Sequence, residues 1–175
     1  MAAEATFENL FRQAKHSAMH LEMRDGYMKS APEFVAWSQD PRSVSPNCDP
    51  DSRPWLSLMK EITSRGVVVR RARIFSEPMS DYLRFEHYLA PRSLVAGEQI
   101  RWLPRRKASD LALPGNDFWL FDNSLAVFLH FAGDGELSPD GDEERTAEPS
   151  VVRLCSTAFE AVWRRATPHE DYKPV

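Results

Sequence analysis

The 175-residue chain predicts a single α/β domain: one mixed β-sheet with helices packed against it. Three observations carry that reading. Segments with helical periodicity alternate along the chain with short runs rich in Val, Ile, Phe and Trp. The last two such runs, NDFWLF and SLAVFLHF, read as a hairpin, which adds antiparallel strands to a sheet otherwise joined through helices. The length suits one domain, and 42% hydrophobic with 27% charged residues is the balance of a chain that folds.

Taken in order, Thr6 caps a first helix through FENLFRQAKH, with Phe7, Leu10, Phe11 and Ala14 on one face. In SAMHLEMRDGY, Met19, Leu21 and Met23 alternate with His20, Glu22 and Arg24, the period of a strand with one buried face. A helix is the competing assignment, since Met, Leu and Glu are good helix formers. PEFVAW is a short helix with Pro32 in its first turn, and the proline-rich SQDPRSVSPNCDPDSRP is a loop. PWLSLMKEITSRG is a helix stopped by Gly66.

VVVRRARIF is a strand whose apolar phase slips at Arg70 and Arg71. A β-bulge would produce that slip; burial of both faces, with the arginines at a wet end, is the other explanation. SEPMSDYLRFEHYLA reads as a helix capped by Ser76 with Pro78 in its first turn, PRSLVAGE as a further turn or short helix, and QIRWLP as a strand. The hairpin turns at Asp122 and Asn123, without the glycine such turns prefer. AGDGELSPDGDEERTAEP reads as a polar surface loop, and SVVRLCSTAFEAVWRRA closes the fold as an amphipathic helix with Val151, Cys155, Phe159 and Val162 inward. The domain thus spans 1–175, with flexible loops expected at 39–53 and 133–149.

A net charge of -4 argues against a dedicated nucleic-acid coat, although a local basic face fits within it. No apolar run reaches membrane-spanning length, and MAAEATFENLFRQ lacks the features of a signal peptide, so a cytoplasmic protein is expected. Cys48 and Cys155 are isolated, which gives no support for structural zinc or redox chemistry. Phosphate-binding glycine loops, the serine-hydrolase elbow and spaced metal ligands are absent, so neither cofactor nor metal is expected.

Three constellations of side chains remain. The stretch HLEMRDGY offers His20, Glu22, Arg24, Asp25 and Tyr27; the first three share a strand face, where a carboxylate can tune an imidazole for acid/base work, and where Glu and Arg can equally pair with neighbouring elements for purely structural reasons. Ser80, Asp81, Arg84 and His87 cluster on a helix, with Tyr82, Phe85 and Leu89 as its packing face. Arg101, Arg105 and Arg106, joined by Arg70, Arg71 and Arg73 if their strands are neighbours, form a basic patch edged by Trp102 and Trp119. Such a patch suits a phosphate, a nucleic-acid backbone or an acidic protein surface. Asp117 and His130 fall at one end of the hairpin, where an Asp–His pair is geometrically feasible.

Together HLEMRDGY, RGVVVRRARIFSEPMSDYLRFEH, AGEQIRWLPRRKASDLALPGNDFWLFD and AFEAVWRRATPHEDY resemble an actinobacterial domain-of-unknown-function family. The resemblance implies association with Xre-type helix-turn-helix regulators and small acidic proteins, and carries over no catalytic residue. The order of elements around VVVRRARIF, QIRWLP and the hairpin also resembles half of a phospholipase-D-like domain, a fold shared by inactive sensor domains of some regulators. The H-x-K of the active enzymes is missing, since His130 is followed by Phe131 and Ala132; the resemblance implies a degenerate, non-hydrolytic version.

The expected function is a non-enzymatic regulatory domain. It would dock a helix-turn-helix regulator or small acidic protein through Arg70, Arg71, Arg73, Arg101, Arg105, Arg106, Trp102 and Trp119. The alternative is a phosphate- or nucleotide-binding sensor or phosphodiester-processing enzyme, with His20, Glu22, Asp117 and His130 as acid/base groups. Direct DNA binding ranks third, because the chain is acidic and shows no helix-turn-helix.

Overall fold

The Thr6 hydroxyl accepts from the Asn9 N–H and opens α1 (Phe7–Gln13). The structure, a computed structural model, describes residues 6–175; the residues before Thr6, part of the stretch read for a signal peptide, lie outside it. The following segment is a strand, β1 (Ser17–Glu22), but all six residues are buried, which corrects the expectation of one wet face. After β1 come α2 (Pro32–Gln39), α3 (Pro54–Ser64), β2 (Val68–Phe75), α4 (Asp81–Val95) and β3 (Gln99–Pro104). The chain then forms β4 (Phe118–Phe121), β5 (Leu125–Leu129), β6 (Glu143–Thr146), α5 (Pro149–Arg165) and β7 (Thr167–Pro168).

Among the described residues these strands make one mixed sheet in the order β6-β5-β4-β1-β2-β3-β7. β1, β2 and β3 run parallel through helical crossovers, and the other pairings are antiparallel. Both faces are covered. Met19, Leu21, Ala72, Ile74, Phe118 and Leu120 pack against Cys155, Phe159 and Val162 of α5. On the other face Ala18, Val69, Trp119 and Phe121 meet α1 and α3. Phe75, Ile100 and Trp102 meet Leu83 and Phe85 of α4 there. Burying each large apolar side chain in these layers contributes about 1.5–3 kcal/mol.

Four local expectations are corrected. β2 pairs with β1 and β3 in unbroken register, so there is no bulge at Arg70 and Arg71; the apolar phase slips because both faces are buried, and the arginines lie mid-strand rather than at a wet end. Ser80, not Ser76, caps α4, accepting from the Leu83 N–H at 3.2 Å, so Pro78 precedes the helix. Pro91 sits inside α4, which runs on through the PRSLV segment because Ala90 and Arg92 are held in the interior on either side of it. The acidic stretch expected to be a loop contributes β6, which pairs along β5 as an edge strand.

Within the 39–53 segment Val44 and Pro50 are buried, and the Tyr88 hydroxyl donates to the Val44 carbonyl at 2.8 Å. Cys48 in this segment is half-buried against the α3 side of the core. Asp122 and Asn123 take φ values of 49° and 51°, the left-handed region that Asp and Asn enter more readily than other side-chain-bearing residues. The Asp122 carboxylate accepts from the Lys15, His16 and Ser17 N–H groups at 2.7–2.9 Å, fastening the hairpin to the start of β1. Among the described residues no helix is long and apolar enough to cross a membrane.

Candidate functional site

Strand alternation and register bring the site together. In β1, His20 and Glu22 project to the α3–α4 side of the sheet. The parallel pairing sets His20 opposite Arg71 and Glu22 opposite Arg73. The antiparallel pairing with β4 sets Trp119 on the other flank of His20, and their rings stack at 4.1 Å. Five residues from three strands thereby become one enclosed cluster.

The arginines are heavily engaged. Arg71 reaches Glu22 Oε1 and Glu98 Oε1, each at 2.6 Å. Arg73 reaches Glu22 Oε2 at 2.9 Å and Glu86 Oε2 at 2.6 Å. Tyr82 donates to the second oxygen of Glu86 at 3.0 Å, and Tyr27 donates to Asp117, which also accepts from the Met23 N–H at 2.9 Å. Gly97 sets the last of these carboxylates in place. It takes a φ of +95° after α4, where a Cβ would stand 2.5 Å from Thr63 Oγ1, and turns the chain so that Glu98 enters the interior.

Burial governs the proton affinities. It holds the His20 imidazole well below its usual value, helped by the positive charges of Arg71 and Arg73, so the ring is neutral. Burial also lifts Asp117 to about 6, against the opposing hydrogen bond from Tyr27, and raises the phenols of Tyr27 and Tyr82. For Arg71 and Arg73 burial pulls downward, but Glu98 and Glu22 around Arg71, and Glu22 and Glu86 around Arg73, more than offset it. Both guanidiniums stay charged.

The imidazole of His20 is left without hydrogen-bond partners. Among the described residues neither ring nitrogen of His20 makes a hydrogen bond, though both are buried; Nδ1 lies 3.5 Å from Glu22 Oε1 outside bonding geometry. Arg73 Nε and Glu98 Oε2 are in the same condition. His20 lines a pocket of about 400 Å³ whose walls include Tyr27, Trp119, Leu129 and Phe131, with Met28 and Leu137 exposed at its lip. Asp142 and Glu143, from the acidic segment, also border it. A neutral imidazole there can donate one hydrogen bond and accept another.

The structure gathers His20, Glu22, Arg71, Arg73, Trp119 and Asp117 around this pocket. It scatters the other expected residues. Arg70 and Arg101 point to the opposite face, their guanidiniums 5.3 and 4.4 Å from the Trp163 ring of α5. Arg105 contacts the Met23 carbonyl at 2.5 Å and Asp25 at 3.6 Å, while Arg106 pairs with Glu77 at 2.9 Å. Trp102 is fully buried and donates to His169 at 3.2 Å. His130 faces Glu144 at 3.4 Å, and Asp117 is taken by Tyr27, so the two form no pair. Arg24 lies beyond the end of β1, with its guanidinium 5.5 Å from the Phe131 ring. The expected basic patch is therefore divided by strand parity. Glu86 and Glu98 were missed, and Tyr82 was read only as part of a packing face; a signal for Glu86 was its place four residues after Tyr82 on one helix face.

Residues 5–174 match the profile of the family described as domain of unknown function DUF6879. The chain belongs to that family. Comparison with curated proteins gives no match. Among solved structures, the DUF6879 chain is similar to Nuc from Salmonella typhimurium, a phospholipase D family member. The TM-score is 0.50 at 12% identity, covering 92% of this chain and 86% of that one. NucT from Helicobacter pylori gives 0.48 at 8% identity, covering 92% and 87%. TrmBL2, an archaeal chromatin protein, gives 0.46 at 11% identity, covering 91% of this chain and 47% of that one. The likeness to Nuc bears on fold, and the DUF6879 domain has a phospholipase-D-like one.

Proposed function

We propose that this DUF6879 protein is a non-catalytic binding domain whose working site is the pocket over His20 and Trp119. The observation that carries the reading is the pair of buried, unbonded nitrogens of His20 facing a mostly apolar cavity. A buried polar group without a partner costs about 1–3 kcal/mol, and a bound molecule recovers that loss. The acid/base alternatives are already committed, Glu22 to two arginines and Asp117 to Tyr27. Docking of a regulator or small acidic protein now rests on Arg106, whose side chain is 75% exposed, with Arg105 beside it.

Phosphodiester processing is the second reading, favoured by a neutral imidazole beside two guanidiniums on this fold. Carboxylates bordering the pocket outnumber those guanidiniums, which opposes entry of a phosphate. The test pairs a thermal-shift screen of small apolar probes with turnover of bis(4-nitrophenyl) phosphate, each on wild type and His20→Phe. Probe binding lost in the variant, with no turnover, supports the binding domain. Turnover lost in the variant overturns it in favour of hydrolysis.

A further inference from the structure

We propose that the ligand of this pocket is a small organic cation, a protonated amine on an apolar body; the proposal rests on the binding-domain reading above. The first ground is charge. Five carboxylates border the cavity, those of Glu22, Glu86, Asp117, Asp142 and Glu143, against the guanidiniums of Arg71 and Arg73. Glu143 is shared with Arg145, and Glu98 adds a further carboxylate beneath Arg71. Either way the surroundings carry a negative excess, so an entering anion is repelled and a cation attracted.

The second ground is the character of the walls. Tyr27 and Phe131 stand edge to face at 5.0 Å, and Tyr82 is 5.9 Å from Tyr27, so aromatic surface and carboxylates converge at one opening. That combination suits a desolvated ammonium group, which aromatic faces attract. The third ground is independent of the acids. His20, with a side chain only 7% exposed, presents a free lone pair on its neutral ring, an acceptor for an ammonium N–H. Met28 and Leu137 at the lip would cover the apolar body.

The test uses three probes of one shape: 4-phenylbutylamine, 4-phenyl-1-butanol and 4-phenylbutyrate, titrated calorimetrically into the full chain. The amine is expected to bind about tenfold or more tightly than the alcohol, as a desolvated cation–aromatic contact allows, with the anion weakest. Asp142→Asn should weaken the amine and leave the alcohol unchanged. Alcohol or anion binding that equals or exceeds amine binding, and that is lost in His20→Phe, overturns the cation and leaves the binding domain standing. No binding of any of the three probes overturns both.

Discussion

His20 lies flat against Trp119, ring centroids 4.1 Å apart and planes 18° apart, with Arg71 on its other flank. The stack fixes the plane of an imidazole whose nitrogens have nothing to bond among the described residues. Aromatic packing therefore orients the polar group, and its hydrogen-bonding capacity is left to whatever enters the pocket.

Replacing His20 by Phe should separate stability from binding. Phenylalanine keeps a ring on Trp119 and removes two buried unbonded nitrogens, each of which costs about 1–3 kcal/mol when unsatisfied. The variant should melt at or above the wild-type temperature and bind ligand far more weakly. Loss of several degrees on a differential scan would show that His20 has a stabilising partner.

The carboxylates around the arginines should behave differently from the rim. Glu98→Gln leaves the buried Arg71 underpaired, and breaking such a pair costs about 3–5 kcal/mol. Arg106→Ala removes a largely exposed partner of Glu77 and should cost about 0–1 kcal/mol. Urea unfolding of both variants checks the contrast; similar midpoints would refute it.

Gly97→Ala should destabilise by more than the about 1 kcal/mol of an ordinary glycine replacement, because positive φ and the contact with Thr63 act together. Thr63→Ser in the same background removes the methyl group but keeps the hydroxyl, so it should recover little. Full recovery on a urea curve would put the strain in the methyl contact instead.

Acid should weaken the fold in a defined window. Burial, helped by the neighbouring His169, holds His87 down to about 4; burial also lowers His20 and His169. The unfolded chain then binds more protons than the folded one below the ordinary histidine value. Stability is full above about 6.5 and is lost as pH falls towards 4. Asp117, raised to about 6, acts in the opposite sense, favouring the fold as pH drops through that value. Denaturation midpoints at pH 7.5 and 5 should differ, and His87→Gln should narrow the gap. An unchanged gap would assign the loss to other groups.

Most of the fold was legible because apolar periods, caps and turn residues act locally. The strand around His20 and the closing helix followed from spacing alone. The site was half legible: alternation puts His20 with Glu22 and Arg71 with Arg73 on common faces. Burial was not legible, because charged residues alternating with apolar ones look like a wet face, and here α3 and α4 cover that face. Glu86 and Glu98 join Arg73 and Arg71 across 13 and 27 residues of chain, a distance no local pattern spans. β6 escaped notice because Glu143–Thr146 has no apolar alternation and is held by pairing with β5.

The engagement of Glu22 with both Arg71 and Arg73 also works as a key for strand alignment. Sliding β2 by one residue would turn both guanidiniums towards the α5 face and away from Glu22, Glu86 and Glu98. Sliding it by two would put Arg71 or an apolar Phe75 where Arg73 now meets Glu22. Hydrophobic strands buried on both faces have little else to distinguish one alignment from the next. The enclosed charges penalise every wrong one, whether or not the pocket beside them is filled.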